Sequence, residues 1–342
     1  MQAAPIHIIG SEEKGKLAIL HLKRFWHKNT LIRQGIQLAD ISKEEWSMDM
    51  RMLAALGLGL EQAMRHLYNT NLDFEAFEDW VLEVNNGKLN QENIKLFNQL
   101  VEAGTTVGGP EESEDKILSE ADMEFWNENG YVIIRDAIPK DDCEDTINAI
   151  CEYIDIDRYD STTWYNAHPA KQGIMVQLFQ HPALEKNRNS VKIRKAYEQL
   201  WQRKEIWINA DRVGFNPPET DFWKFPGPRI HWDVSIKQPI PFGLQGILYL
   251  SDTAADQGAF SLIPGFHNKI GHWLETLPPN TNPREVNFYE LGVTPVVANA
   301  GDFIIWHHAL PHGSSTNTSD HPRYVQYMNY NPLDSEKQSE WI

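Results

Sequence analysis

The segment FPGPRIHWDVSIKQ, residues 225–238, sets His231 two positions before Asp233, and none of the other histidines among the chain's 13 has a carboxylate at that spacing. In extended backbone, side chains two apart project to the same side, so this imidazole and this carboxylate can reach one ion. A third ligand has to come from elsewhere. The richest source is GDFIIWHHALPHGSSTNTSDHPRYVQY, residues 301–327, which holds His307, His308, His312 and His321. Two imidazoles and one carboxylate on one face of an octahedron leave three positions open, as in non-haem iron(II) centres that activate dioxygen. The same donors can also hold zinc for hydrolysis. A lone H-x-D triplet arises as well from a surface histidine beside a capping aspartate, so spacing by itself leaves these readings open.

The elements around these residues read as strands: EIWINADRVGF, LQGILYLSD, GAFSLIP, VTPVVA, DFIIWHH and RYVQYMNY. Short strands separated by turn signals predict a sandwich or barrel with Greek-key connections, that is, a jelly roll. The chain before them has a different character. From Glu12 to about Ala103 apolar residues recur three and four apart, which predicts helices. In DFEAFEDWVLEV, Phe74, Phe77, Trp80, Val81 and Val84 fall on one face, Asp73 is available as the N-cap, and Gly87 closes the helix. EEWSMDMRMLAALGLGLEQAMRHLY predicts one long helix or a kinked pair, with Met48, Met50 and Met52 as core residues. The basic run HLKRFWHK, residues 21–28, reads as a solvated helix face.

Between the two regions, GTTVGGPEESED (residues 104–115) cannot bury itself and reads as a linker. The expected class is therefore α+β. A helical N-terminal domain over 1–104 and a linker over 105–117 precede a double-stranded β-helix (jelly roll, cupin-like) domain over 118–342.

Composition limits the partners. Against 31 Lys and Arg stand 48 Asp and Glu, a formal charge of −17 that repels phosphate backbones and anionic membranes. Neither nucleic acid nor a membrane surface is expected as a partner. Cys143 and Cys151 lie eight positions apart in one predicted helix, DDCEDTINAICEYI, where they cannot bond to each other. They suit a reducing compartment. With no basic leader before an apolar run and no membrane-length apolar stretch, the expected location is cytoplasmic.

From about Ser119 to Pro332 the chain resembles the phytanoyl-CoA dioxygenase (PhyH) family of iron(II)- and 2-oxoglutarate-dependent oxygenases. EFWNENGYVIIRDAIPKDDCEDTINAI is similar to that family's entry segment, a helix leading through a glycine into a strand. LQGILYLSDTAADQGAFSLIPGFHNK is similar to its strand, acidic loop and PGSH element, and residues 301–327 to its distal-histidine and arginine strands. Carried over position by position, the resemblance implies His231, Asp233 and His312 as iron ligands. His312 is selected because the family's distal histidine directly precedes a glycine or serine, which leaves His307 and His308 to backbone or solvent contacts. The resemblance further implies that Arg323, eleven residues after His312, grips the distal carboxylate of 2-oxoglutarate. A planar guanidinium fork suits that task. It implies Ser314 as a hydroxyl donor to the same carboxylate, Tyr249 as an aromatic neighbour of the cosubstrate, and Gln177 as a polar contact. One position departs: Met175 stands where the acyl-CoA-hydroxylating member has a lysine, which weighs against an acyl-CoA substrate.

The implied cofactors are Fe(II), 2-oxoglutarate and O2. The implied reaction is hydroxylation of an unactivated C–H bond of a small or carrier-tethered molecule, with succinate and CO2 as products. Asp233 is retained where related halogenases have a small residue, which favours hydroxylation. Candidate substrate contacts are Trp164, Tyr165, Arg212 and His267, whereas Trp232, between two ligands, is expected to face away from the metal and pack. The N-terminal helices are expected to stabilise the protein, to pair two copies as a homodimer, or to dock a carrier. The alternatives are a non-catalytic jelly-roll binding protein and a zinc-dependent cupin-like hydrolase.

Overall fold

The computed structural model describes residues 7–38, 43–103, 116–332, 338 and 340–342. All of the expected linker except residues 116 and 117 lies outside the described residues. The chain divides into two compact units. One comprises residues 1–109 with the short segments 207–211 and 332–334, and the other comprises the rest.

The first unit is built from α1 (Leu22–Arg33), α2 (Lys43–Ala55), α3 (Leu60–Asn69), α4 (Phe74–Val84) and α5 (Gln91–Ala103). The methionine-bearing segment forms the kinked pair, because Gly57 adopts φ 64° after α2 and Gly59 caps α3. Asp73 caps α4 by accepting from the Ala76 amide at 2.9 Å, and Gly87 beyond it adopts φ 73°. Phe25, Met52, Phe77, Val81 and Phe97 form the centre of this unit's core.

The basic run is not a solvated face. Lys28 is buried, with its ammonium 3.2 Å from Glu45 Oε1 and in contact with Asp49, while Arg24 Nε donates to Glu45 at 2.9 Å and His21 Nε2 lies 2.9 Å from Asp49 Oδ1. Glu45 and Asp49, four apart on α2, draw one stripe of α1 inward. Charge alone along α1 could not reveal carboxylates that arrive from another helix.

The second unit begins with α6 (Glu120–Asn129). Ser119 and Asp122 close a reciprocal capping box at its start, and Gly130 at φ 76° turns the chain into β1 (Tyr131–Ile134). Next come α7 (Lys140–Tyr153), β2 (Lys171–Gln172), β3 (Met175–Val176), α8 (Pro182–Arg188) and α9 (Val191–Trp201). The later elements are β4 (Ile206–Asn209), β5 (Val213–Asn216), β6 (Leu244–Tyr249), β7 (Phe260–Leu262), α10 (Ile270–Thr276) and β8 (Thr294–Pro295). The chain continues through β9 (Phe303–His307), β10 (His312–Ser314), β11 (Arg323–Tyr327) and β12 (Asn329–Pro332). Cys143 and Cys151 on α7 are buried and free, and burial pushes the Cys143 thiol up to about 12.

Among the described residues, seven strands form one sheet in the order β1-β9-β6-β11-β5-β3-β2, and three form another in the order β10-β7-β8. Neighbouring strands run antiparallel throughout both. One core joins the two sheets: Ile247 and Tyr249 of β6, Trp306 of β9 and Val325 of β11 cluster with Phe260 and Leu262 of β7. The Tyr249 hydroxyl ties the sheets together, donating to the Val296 carbonyl at 2.9 Å and accepting from the Phe260 amide at 2.8 Å. The fold is thus mixed, helical in one unit and built on antiparallel sheets in the other. Among the described residues no helix is long and apolar enough to cross a membrane.

Candidate metal centre

His312 opens β10, the edge strand that pairs with β7, rather than trailing from β9. Its backbone also exchanges two hydrogen bonds with His231, each 2.9 Å from nitrogen to oxygen. That bridge and a bond from the Ser314 amide to Pro228 O at 3.1 Å tie the 225–238 segment to β10. Beyond His231 the chain bends at Asp233 and Val234 and runs on as a loop. Alternation survives locally. Trp232 is buried in the inter-sheet core, its indole N–H donating to Ala309 O at 2.8 Å, and His231 and Asp233 are left on the opposite side.

The three expected ligands converge. His231 Nε2 lies 3.1 Å from Asp233 Oδ1, His312 Nε2 lies 3.2 Å from Asp233 Oδ2, and one ligand atom from each residue falls within 4.8 Å of the others. The other ring nitrogens settle the tautomers. His231 Nδ1 sits 2.6 Å from Arg229 O and His312 Nδ1 sits 3.0 Å from Leu310 O. A carbonyl only accepts, so each Nδ1 carries a proton, and each Nε2 faces the carboxylate, able to offer a lone pair where a metal replaces a proton between them. Lone pairs facing anionic oxygens repel unless a proton or a cation lies between them. This donor set therefore fits a divalent metal, with backbone carbonyls orienting both imidazoles as outer partners.

The metal-free electrostatics show the same attraction. Burial alone would raise the Asp233 carboxyl, but hydrogen bonds from His231 and His312 outweigh it and hold the group well below the usual carboxylate range. Burial would likewise lower His231, yet its bond to Asp233 raises it. Gln245 on β6 also holds the carboxylate, donating from Nε2 at 2.7 Å to Asp233 Oδ2, the oxygen that faces His312. His312 is buried, while the Asp233 side chain is 48% exposed, so the centre opens on one side.

A second feature adjoins it. His312 and Ser314 lie two apart on β10 and so share a face. Ser314 Oγ accepts from Arg323 Nη2 at 3.0 Å. Arg323, at the start of β11, is 0% exposed, and its Nε and Nη1 are buried without hydrogen-bond partners among the described residues. A buried guanidinium with open N–H groups is costly unless an anion completes it. Tyr249 lies within electrostatic reach of Arg323, but its hydroxyl is engaged by backbone and burial pushes it up to about 12. Gln177 is buried after β3, donating to Gln172 Oε1 at 3.1 Å with its own Oε1 unpaired.

The other expected residues scatter. Trp164 is buried and its indole N–H donates to Asp157 O at 2.9 Å, which is packing geometry. Tyr165 donates to Pro218 O at 3.1 Å and meets Phe222 edge-on at 5.2 Å. Arg212 lies within electrostatic reach of Asp233, near the centre. His267 packs instead on His307, 5.3 Å between ring centroids, beneath Gly130, where a Cβ would come within 2.5 Å of its Nδ1. It anchors its loop there. His307 accepts from the Ala309 amide at 3.0 Å, and His308 Nε2 bonds Pro241 O. His321 is exposed. A second group of suitable donors, His21, Glu45 and Asp49, is already bridged by the Lys28 ammonium.

Sequence reading missed two residues around Asp233. Gln245 left a faint signal, a lone amide in the apolar run LQGILYL. Arg284, within electrostatic reach of Asp233 from a loop some fifty residues away, left none.

Comparison with known proteins follows the same residues. The family model described as phytanoyl-CoA dioxygenase (PhyH) matches residues 126–325, more than half of the chain and all three metal-binding candidates. The chain belongs to that family. Within the PhyH family, a Dictyostelium discoideum protein named for the same enzyme is 23% identical over 261 residues, covering 61% of this chain and 74% of its own length. Solved structures similar to it include EctD from S. alaskensis with bound Fe, at 18% identity and a TM-score of 0.49, covering 67% of this chain and 82% of that one. Another is the non-heme alpha ketoglutarate dependent carbocyclase SnoK from nogalamycin biosynthesis, at 20% identity and a TM-score of 0.46, covering 68% and 90%. PhyH membership places the chain in the class of oxygenases.

Proposed function

We propose that this PhyH protein is an Fe(II)/2-oxoglutarate-dependent dioxygenase that hydroxylates a C–H bond of a small or carrier-tethered organic substrate. The observation that carries the reading is the pairing of a two-histidine, one-carboxylate centre with Arg323, a buried cation with two nitrogens that have no partner among the described residues. A zinc hydrolase would give Arg323 and Ser314 no task, and a non-catalytic scaffold would have no need of either feature.

On this reading His231 and His312 offer their Nε2 lone pairs and Asp233 one carboxylate oxygen to the iron. Bound iron with 2-oxoglutarate supplies activation of dioxygen, coupled to release of succinate and CO2. Arg323 holds the distal carboxylate of the cosubstrate through its planar fork. Ser314 keeps that fork in register with His312 by lying on the same face of β10. Tyr249 acts from beside Arg323 as apolar wall and as the tie between sheets, since its hydroxyl is already engaged. Gln245 orients Asp233, and the inter-sheet core around Trp232 and Trp306 keeps water from the inner side.

Arg212, near Asp233, is the residue we favour for meeting substrate, with Tyr165 as a further contact and Gln177 as a contact of the cosubstrate. We read the two antiparallel sheets as the walls of a double-stranded β-helix. We read residues 1–104 as a separate helical domain, 105–117 as linker and 118–342 as the catalytic domain, supported by the separate core of the helical unit. That domain serves stability or pairing of two copies.

Anaerobic addition of 2-oxoglutarate to iron(II)-loaded protein should give a visible charge-transfer band. Stoichiometric iron binding without a band, or no iron binding at all, would overturn the reading.

A further inference from the structure

Asp233 sits in a loop just beyond the last backbone bridge of its segment, at His231. A ligand carboxylate needs a fixed backbone, because metal affinity depends on how little freedom is lost on binding. The structure supplies the missing restraint from Arg284. Its Nη1 donates to Trp232 O at 2.9 Å and its Nη2 to Val234 O at 2.6 Å, the two carbonyls on either side of Asp233. A planar fork can span two such acceptors, whereas an ammonium on a flexible stem cannot fix both.

The same guanidinium reaches the last residues of the chain. Nε and Nη2 donate to Ile342 O at 3.0 and 2.7 Å, and the cation lies over the Trp341 ring at 4.8 Å. More bonds fasten this segment to the loop. Ser235 Oγ donates to Glu340 O at 2.7 Å, Ile342 N donates to Ser235 Oγ at 3.2 Å, and Gln338 Nε2 donates to Lys237 O at 2.9 Å.

We propose that Arg284 is a positioning residue for the metal ligand Asp233, and that Gln338, Glu340, Trp341 and Ile342 act through it as a strap that braces the ligand loop. Arg284 touches neither metal nor substrate. It holds the backbone on both sides of the carboxylate, and the strap holds Arg284. This inference rests on the metal reading given above.

The test is Mn(II) titration of the full chain, followed by the electron paramagnetic resonance signal of the free aqua ion. Three variants are compared with the unaltered protein: Arg284→Lys, Arg284→Met, and deletion of residues 338–342. Outer partners of metal ligands typically change affinity about 10- to 100-fold. Both Arg284 variants should bind Mn(II) about 10-fold or more weakly, Lys failing to rescue, and the deletion about 3-fold or more weakly. Melting temperatures without metal should stay close to that of the parent. Affinity within about 2-fold of the parent in folded Arg284→Lys overturns the proposal, as does full rescue by lysine where Met fails. Should Arg284→Met not fold, the other two variants decide. Absence of Mn(II) binding by the parent itself would remove the metal reading and this inference with it.

Discussion

Arg323 and Ser314 meet in the buried interior at 3.0 Å, Nη2 to Oγ, and this contact leaves Nε and Nη1 of the guanidinium without partners among the described residues. An unpaired buried cation destabilises the protein that contains it until an anion arrives. Arg323→Met should therefore fold at least as stably as the parent when 2-oxoglutarate is absent. The same variant should lose the upward shift in melting temperature that 2-oxoglutarate gives the parent. Removing one member of a buried charge pair costs about 2 kcal/mol or more, which is about 30-fold in affinity. A thermal-shift titration reads both effects, and a variant still stabilised by 2-oxoglutarate would refute the assignment of Arg323.

Spacing alone singled out His231 and Asp233 as a possible metal-binding pair, whereas His312 and Arg323 were picked out by the resemblance to the PhyH family. H-x-D survives although the chain bends at Asp233, since the bridge at His231 preserves the alternation that buries Trp232. The partners that orient Asp233 were not legible. Gln245 and Arg284 reach it from a sheet and a loop that only the folded chain brings close. The helical unit followed the same rule. Its periodicity and caps could be read residue by residue, but the burial of Lys28 depends on carboxylates from α2.

Gln245→Leu isolates one such partner. The amide donates to Asp233 Oδ2 at 2.7 Å from within a well-buried strand, so an isosteric apolar replacement should leave the sheet intact. The carboxylate then gains rotational freedom. Metal affinity should fall about 10-fold, in line with other outer-partner losses, with little change in metal-free melting temperature. Calorimetric titration with Mn(II) checks this, and unchanged affinity would show that Asp233 is oriented without Gln245.

Acid sensitivity should come partly from His307. Burial, with the neighbouring His308 and His267, pulls this imidazole down to about 3, and its Nδ1 accepts from the Ala309 amide. The unfolded chain takes up the proton near pH 6.5, whereas the folded chain resists until about pH 3. Stability from this group is therefore complete above the unfolded value and is lost progressively as pH falls from there toward 3. At pH 5 the loss is about 2 kcal/mol. In His307→Phe the fall in urea-unfolding free energy between pH 7.5 and 5 should shrink by about that much. An unaltered slope would mean that the ring titrates normally in the folded protein.

Lys28 tests the helical unit on its own. Its ammonium is buried between Glu45 and Asp49, with His21 and Arg24 completing the cluster. Burial would raise the Glu45 carboxyl, but hydrogen bonds from Arg24 and the charge of Lys28 together outweigh it and lower the group. Lys28→Met keeps the volume and removes the central cation, so Asp49 is left buried beside a second carboxylate with only His21 to balance it. Breaking a buried ion pair from one side typically costs about 3–5 kcal/mol, whereas replacing both partners by apolar groups can cost almost nothing. Lys28→Met should therefore speed amide hydrogen exchange in α1 and α2 by about 100-fold or more. Lys28→Met combined with Asp49→Leu should recover most of the protection. If the double variant exchanges as fast as the single one, the loss reflects a geometric role of the lysine stem, because removing the unbalanced charge would have brought no relief.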